Sequence, residues 1–155
     1  MRAASVGSVR VLELFAPLFG HWQGSEELPE SSQRLATTAR AILSFRAEVG
    51  GAAMVSDYRR VRADGSEFYG HGVFLVDEAL TVSWWLFDSS GLPPVPAVGG
   101  WRGGELVVTA TTEGGTASHR FGMDGADLTY AIDTGTRADS LRPFLRGRYQ
   151  AVSTH

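Results

Sequence analysis

Pairs of turn-forming residues recur at short intervals along this chain: Gly50-Gly51, Asp64-Gly65, Asp77-Glu78, Gly103-Gly104, Gly114-Gly115, Asp124-Gly125 and Thr134-Gly135. Each is flanked by β-branched or aromatic residues, and such dipeptides suit the tight turns that join antiparallel strands. A chain punctuated in this way reads as consecutive hairpins. The intervening segments are LATTARAILSFRAEV, AAMVSDYRRVRA, SEFYGHGVFLVD, ALTVSWWLFD, ELVVTATT, TASHRFGM, ADLTYAI and PFLRGRYQAV. With residues 20–28 and a short strand near Trp101 they predict about ten strands. Only Ser8 to Phe19 has helical character, and Pro17 limits it.

Several of these segments exceed the five or six residues of a common strand, which suits a tilted, closed barrel better than a compact sandwich. Closure also removes unpaired strand edges. The expected fold is all-β: a single antiparallel meander barrel of about ten strands with a short N-terminal helix. A Greek-key sandwich is the alternative, because hairpin signals do not reveal strand order. The 155 residues make one domain, 1–155, with 1–7 as a flexible tail. The segment SSGLPPVPAVGG, Ser89 to Gly100, contains Pro93, Pro94 and Pro96, which cannot donate to a ladder. It reads as a loop, either a rim over a barrel mouth or a plain surface connection.

The stretch FGHWQG, Phe19 to Gly24, and the late segment LRGRYQA resemble the two ends of a calycin barrel, the superfamily of lipocalins and fatty-acid-binding proteins. That resemblance implies that Gly20 and Trp22 open the first strand, with the indole closing one end of the barrel under Arg146 or Arg148. A large ring would fill the tapering end and a guanidinium would stack on it. The order PLFGHWQG, GHGVFLVD, WWLFDSSGLPP, RPFLRGRY is similar to nitrobindin-like ten-stranded proteins and related bacterial families of unknown function. Nitrobindin-like members bind haem through a histidine near the last strand, whereas Arg142 to Val152 contains none and His155 is terminal. Haem is therefore disfavoured, and no cofactor is expected.

The densest polar and aromatic cluster is EFYGHGVFLVD followed by ALTVSWWLFD. Pairing Asp77 with Leu80 would set His71 opposite Leu86, Val73 opposite Trp84 and Tyr69 opposite Asp88 on one face. Trp85 would then cover Gly72, and Phe87 would cover Gly70, on the other. Rings lying on bare glycine backbone suggest packing, so His71, Tyr69 and Trp84 are assigned to the cavity, with Tyr58 as a further hydroxyl. A one-residue slip reverses the assignment. His71 could orient a ligand near neutral pH or serve as the general base of a cofactor-free isomerase or hydrolase. The plain alternative is a structural histidine. His21, next to Trp22, should face outward, His119 shows no evident partner, and the adjacent Glu26 and Glu27 should face opposite sides.

No phosphate-binding loop, nucleophile elbow or His-Glu-x-x-His segment occurs, and no catalytic residue or metal ligand is assigned. Cysteine is absent, which excludes thiol chemistry and fits a cytoplasmic location. The 14 basic residues, all arginine, are scattered in a chain of net charge -3, so nucleic acid is not an expected partner. No apolar run approaches the length of a membrane span. A small hydrophobic molecule is the expected partner, and a homodimer is left open.

Overall fold

The computed structural model describes residues 11–32 and 34–153. The expected tail 1–7, the first residues of the Ser8–Phe19 segment and His155 lie outside them. Among the described residues Val11 to Leu14 are helical, with Phe15 N donating to Val11 O at 3.1 Å, and Pro17 lies within the 3₁₀ turn Ala16–Leu18 that follows. Val11, Phe15 and Leu18 are fully buried.

The remainder of the described chain is ten strands: β1 (Gly20–Leu28), β2 (Thr37–Glu48), β3 (Ala53–Arg62), β4 (Glu67–Val76), β5 (Val82–Asp88), β6 (Ala97–Arg102), β7 (Glu105–Thr112), β8 (Gly115–Asp124), β9 (Asp127–Gly135) and β10 (Arg142–Ala151). Each pairs antiparallel with its sequence neighbour, and β1 pairs with β10, so the sheet closes into a meander barrel without crossovers. The Greek-key alternative falls with that closure. Burial alternates along the strands. Trp22, Gly24, Glu26 and Leu28 of β1 point inward between exposed neighbours, as do Ala39, Ala41, Leu43 and Phe45 of β2.

Trp22 is buried at the end covered by the N-terminal helical turn, and its Nε1 donates to Leu18 O at 3.0 Å. Gly20 enters β1 at φ +129°, a conformation that a side chain would strain. The arginines do not complete this closure. Arg146 and Arg148 alternate with the inward Leu145 and Tyr149 and lie on the outer face. There Arg146 pairs with Asp133 at 2.6 Å, and Arg148 with Asp124 and Asp127 at 2.5 and 2.9 Å. A carboxylate on the adjacent strand or turn offers each guanidinium a charged partner in water, which stacking over a buried indole would forfeit.

The β4–β5 hairpin is offset by one residue from the sequence expectation. Asp77 N donates to Thr81 O, leaving three residues in the loop instead of two, and Leu80 adopts φ +66°. Asp77 Oδ1 accepts the N–H groups of Ala79 and Thr81, both at 2.9 Å. A side-chain-capped loop with a left-handed third residue is normally flagged by glycine; here leucine fills that position. The resulting register sets Gly72 opposite Leu86, His71 opposite Phe87 and Phe74 opposite Trp84.

The proline-rich segment is only partly a loop, because Ala97 to Gly100 belong to β6. Its effect on the wall is large. β5 pairs with β6 only through Val82–Gly99, Ser83–Val98 and Trp84–Ala97, so Trp85 to Asp88 have no partner strand on that side. The barrel wall is interrupted there and covered by Ser89 to Pro96.

Candidate functional site

The one-residue offset decides which side chains see the interior. Phe68, Gly70, Gly72 and Phe74 face inward on β4, while Tyr69 and His71 are exposed on the outer face. Both residues are therefore corrected from the cavity to the outside. His71 Nδ1 lies 2.7 Å from Asp57 Oδ1, and Asp57 also pairs with Arg46 at 2.7 Å. Tyr69 donates its hydroxyl to Glu67 at 2.7 Å. His71, Asp57 and Tyr69 line an open groove across the outside of β1 to β5, together with Ile42 and Phe87. With its ring half in solvent, His71 lacks the enclosed setting required of a cavity general base.

Trp84 and Tyr58 do face inward. They border a cavity of about 280 Å³ lined also by Leu43, Phe45, His119, Phe121, Tyr130 and Ile132. Stacked aromatic pairs support its wall: Phe74, behind the lining, lies nearly parallel to Trp84 with centroids 5.0 Å apart, and Phe121 lies nearly parallel to Tyr130 at 4.3 Å. His119 meets Trp84 edge-on at 4.8 Å. The indole of Trp84 lies across Gly72, where an added Cβ would fall 2.1 Å from Nε1 and 2.5 Å from Ser56 Oγ. The ring over Gly72 is therefore Trp84, on the cavity face, whereas Trp85 and Phe87, expected over Gly72 and Gly70, are exposed on the outside. Gly72→Ala is expected to displace the indole and to cost about 1–3 kcal/mol in urea unfolding; a variant as stable as the parent would show that Trp84 has room to move.

A second, smaller cavity of about 200 Å³ sits beneath the proline-containing loop and shares Trp84, Leu86, Asp88 and His119 with the first. Pro93, Pro94 and Val95 form its roof, and Ala110 and Thr112 of β7 its far side. Because prolines cannot donate backbone hydrogen bonds, the loop covers the gap without sealing it as a strand would.

Sequence reasoning missed the polar members of this interior. His119 shares the inward parity of Phe121 on β8, and its Nδ1 lies 2.7 Å from the Tyr130 hydroxyl. Burial lowers the His119 pKa to about 4, so the imidazole is neutral at pH 7. Glu26 shares the parity of Trp22. Its carboxylate accepts the hydroxyls of Tyr149 at 2.5 Å and Tyr58 at 2.7 Å, and Arg60 Nη1 donates to Tyr58 at 3.3 Å. Burial raises the pKa of Glu26 despite these hydrogen bonds and the nearby Arg60 charge. Arg60 is itself buried, with its guanidinium 4.6 Å over the Phe68 ring. Parity with Trp22, Tyr58 and Phe121 was the available signal for all three residues; it becomes usable only once those aromatics are known to face inward.

No protein-family model matches the chain, and no curated protein matches its sequence. Its fold is nevertheless found among solved structures. The chain is similar to Rv2717c from M. tuberculosis, with a TM-score of 0.75 and 19% identity over 92% of this chain and 98% of that one. It is also similar to the S-type phycobiliprotein lyase CPES from Guillardia theta, with a TM-score of 0.67 and 9% identity over 98% of each chain. EF1p2_mFAP2b, solved bound to DFHBI, gives a TM-score of 0.50 and 14% identity over 92% of this chain and 99% of that one. Together with the closed ten-stranded meander, these likenesses show the fold alone, a calycin-like or lipocalin-like barrel. Among the described residues no helix is long and apolar enough to cross a membrane.

Proposed function

We propose that this chain is a small-molecule-binding barrel that holds a hydrophobic or aromatic ligand in the cavity beside Trp84. The observation that carries this reading is a space of about 280 Å³, walled by aromatic and aliphatic side chains and containing only a few polar groups. It lies close to the lower bound of ordinary ligand pockets, and apolar walls with sparse polar groups are their usual composition. Two of the similar barrels support it through their descriptions, one as a phycobiliprotein lyase and one as bound to DFHBI. Trp84 and Tyr58 contribute to the binding wall, joined by His119, Tyr130 and Phe121.

The residues do not fit the haem arrangement of nitrobindin-like proteins. The inward positions of β10 are Leu145, Gly147, Tyr149 and Ala151, which offer no imidazole. An organic ligand held by packing and hydrogen bonds is the reading that these side chains support.

Native mass spectrometry of the protein from its own host, followed by titration of aromatic and lipid probes monitored by tryptophan fluorescence, tests this reading. At least one neutral aromatic should bind with a Kd below about 100 μM, equivalent to more than about 5 kcal/mol. Trp84→Phe should remove most of the fluorescence response. Absence of any bound mass and of any saturable response across the panel would refute it.

A further inference from the structure

The hydrogen-bond inventory of the cavity is lopsided. Among the described residues three side-chain N–H groups, Trp84 Nε1, Arg60 Nε and Trp101 Nε1, are fully enclosed without a partner, and the first two belong to residues that line the cavity. Native interiors rarely leave an N–H unpaired, since the group gives up its hydrogen bond to water and gains none in return. A third donor in the cavity follows from the His119–Tyr130 pair. The Tyr130 hydroxyl has no other hydrogen-bonding partner among the described residues, so its proton is satisfied only by donation to His119 Nδ1. A neutral imidazole that accepts at Nδ1 carries its own proton on Nε2, which also has no partner among the described residues.

Acceptors are fewer, and among the described carboxylates lining the cavity only Asp88 Oδ2, at the rim, is without a partner. Both oxygens of Glu26 receive tyrosine hydroxyls, and Asp88 at the rim is engaged through Oδ1 by Ser90 N at 3.0 Å and Ser90 Oγ at 2.5 Å. The hydroxyls of Ser56 and Thr134 can turn to either role and do not discriminate.

Building on the binding reading above, we infer that the ligand is a flat, apolar molecule whose polar atoms are hydrogen-bond acceptors, such as a ring ketone or lactone, placed to receive the N–H groups of Trp84, His119 and Arg60. A ligand of this kind satisfies three buried donors. One whose polar atoms are donors leaves those three unpaired and finds only Asp88 Oδ2, at the rim, to donate to, and sites that pair buried polar groups reject such mismatches strongly.

Three neutral bicyclic probes of similar size separate the possibilities in isothermal titration calorimetry: coumarin, which only accepts; indole, whose polar group donates; and naphthalene, which does neither. Apolar burial alone would favour naphthalene. The expected result is coumarin bound at least 10-fold more tightly than indole, and more tightly than naphthalene. In Trp84→Phe and His119→Phe the ratio of coumarin to naphthalene affinity should fall by at least 5-fold, a comparison that cancels changes of shape common to both probes. In the unsubstituted protein, ¹⁵N NMR should show His119 protonated at Nε2 and bare at Nδ1. Indole binding as tightly as coumarin, or a His119 proton on Nδ1, would overturn the acceptor assignment while leaving small-molecule binding intact. If none of the three probes binds, the acceptor assignment falls, while the binding reading is decided separately by the native mass spectrum and the wider probe panel.

Discussion

Trp22→Ala is expected to lower the unfolding free energy by about 3–5 kcal/mol, the usual cost of deleting a large buried aromatic. The indole is buried, shares the core with Val11, Phe15 and Leu18, and donates to Leu18 O at 3.0 Å. Its removal opens a void beneath the helical turn and leaves the Leu18 carbonyl without that donor. Trp22→Phe should cost less, since most of the packing survives and only the N–H and the second ring are lost. The two arginines once expected above the ring provide a control. Arg146 and Arg148 pair with carboxylates on the outer face and share no partner with Trp22, so their alanine variants should add to Trp22→Ala within about 0.5 kcal/mol. Urea unfolding of the single and double variants measures this. A coupling above about 1 kcal/mol, or a Trp22→Ala loss smaller than that, would contradict the closure described here.

Acid should destabilise the barrel through His119. Its folded pKa of about 4 lies below the ordinary value of 6.5, so the contribution of the neutral imidazole is fully present above about pH 6.5. It is lost as the pH falls through that window toward 4, because the unfolded chain binds the proton first. The integrated loss is about 3 kcal/mol, on the usual conversion between pKa and free energy. Glu26 acts with the opposite sign: burial raises its folded pKa, so its contribution is favourable below the ordinary carboxyl range and is lost as pH rises through the raised value. The two overlap in a wild-type titration. His119→Gln keeps an acceptor for Tyr130 without the titration. The difference between parent and variant in unfolding free energy should shrink by about 3 kcal/mol between pH 6.5 and 4. Parallel pH profiles would mean that protonated His119 is accommodated in the folded barrel.

How much of this could be read from residues alone differs sharply between fold and site. Glycine and aspartate turn pairs act locally, each within a few residues, and so predicted a hairpin meander of about ten strands that the barrel matches. The inward place of Trp22 was legible only through the resemblance of FGHWQG to the first strand of a calycin barrel, and the alternation of Trp22, Gly24 and Leu28 along β1 agrees with it. The cavity face of β4 was not. It hinged on whether two or three residues separate Asp77 from its partner, and Leu80 occupies the left-handed position where glycine would have signalled the longer loop. That single residue moved His71 and Tyr69 to the outer face and placed Gly72 under Trp84.

Local sequence therefore determined the number, direction and inner parity of many strands, because turn conformation and side-chain alternation are properties of neighbouring residues. Only the closed barrel decided which polar groups meet. Glu26 and Tyr149 are 123 residues apart along the chain, and they touch because β1 pairs with β10. His119 reaches Tyr130 through the β8–β9 register and meets Trp84 across the interior. Burial then shifted their protonation, a consequence of the low-dielectric space that the assembled wall encloses and that no short stretch of sequence contains.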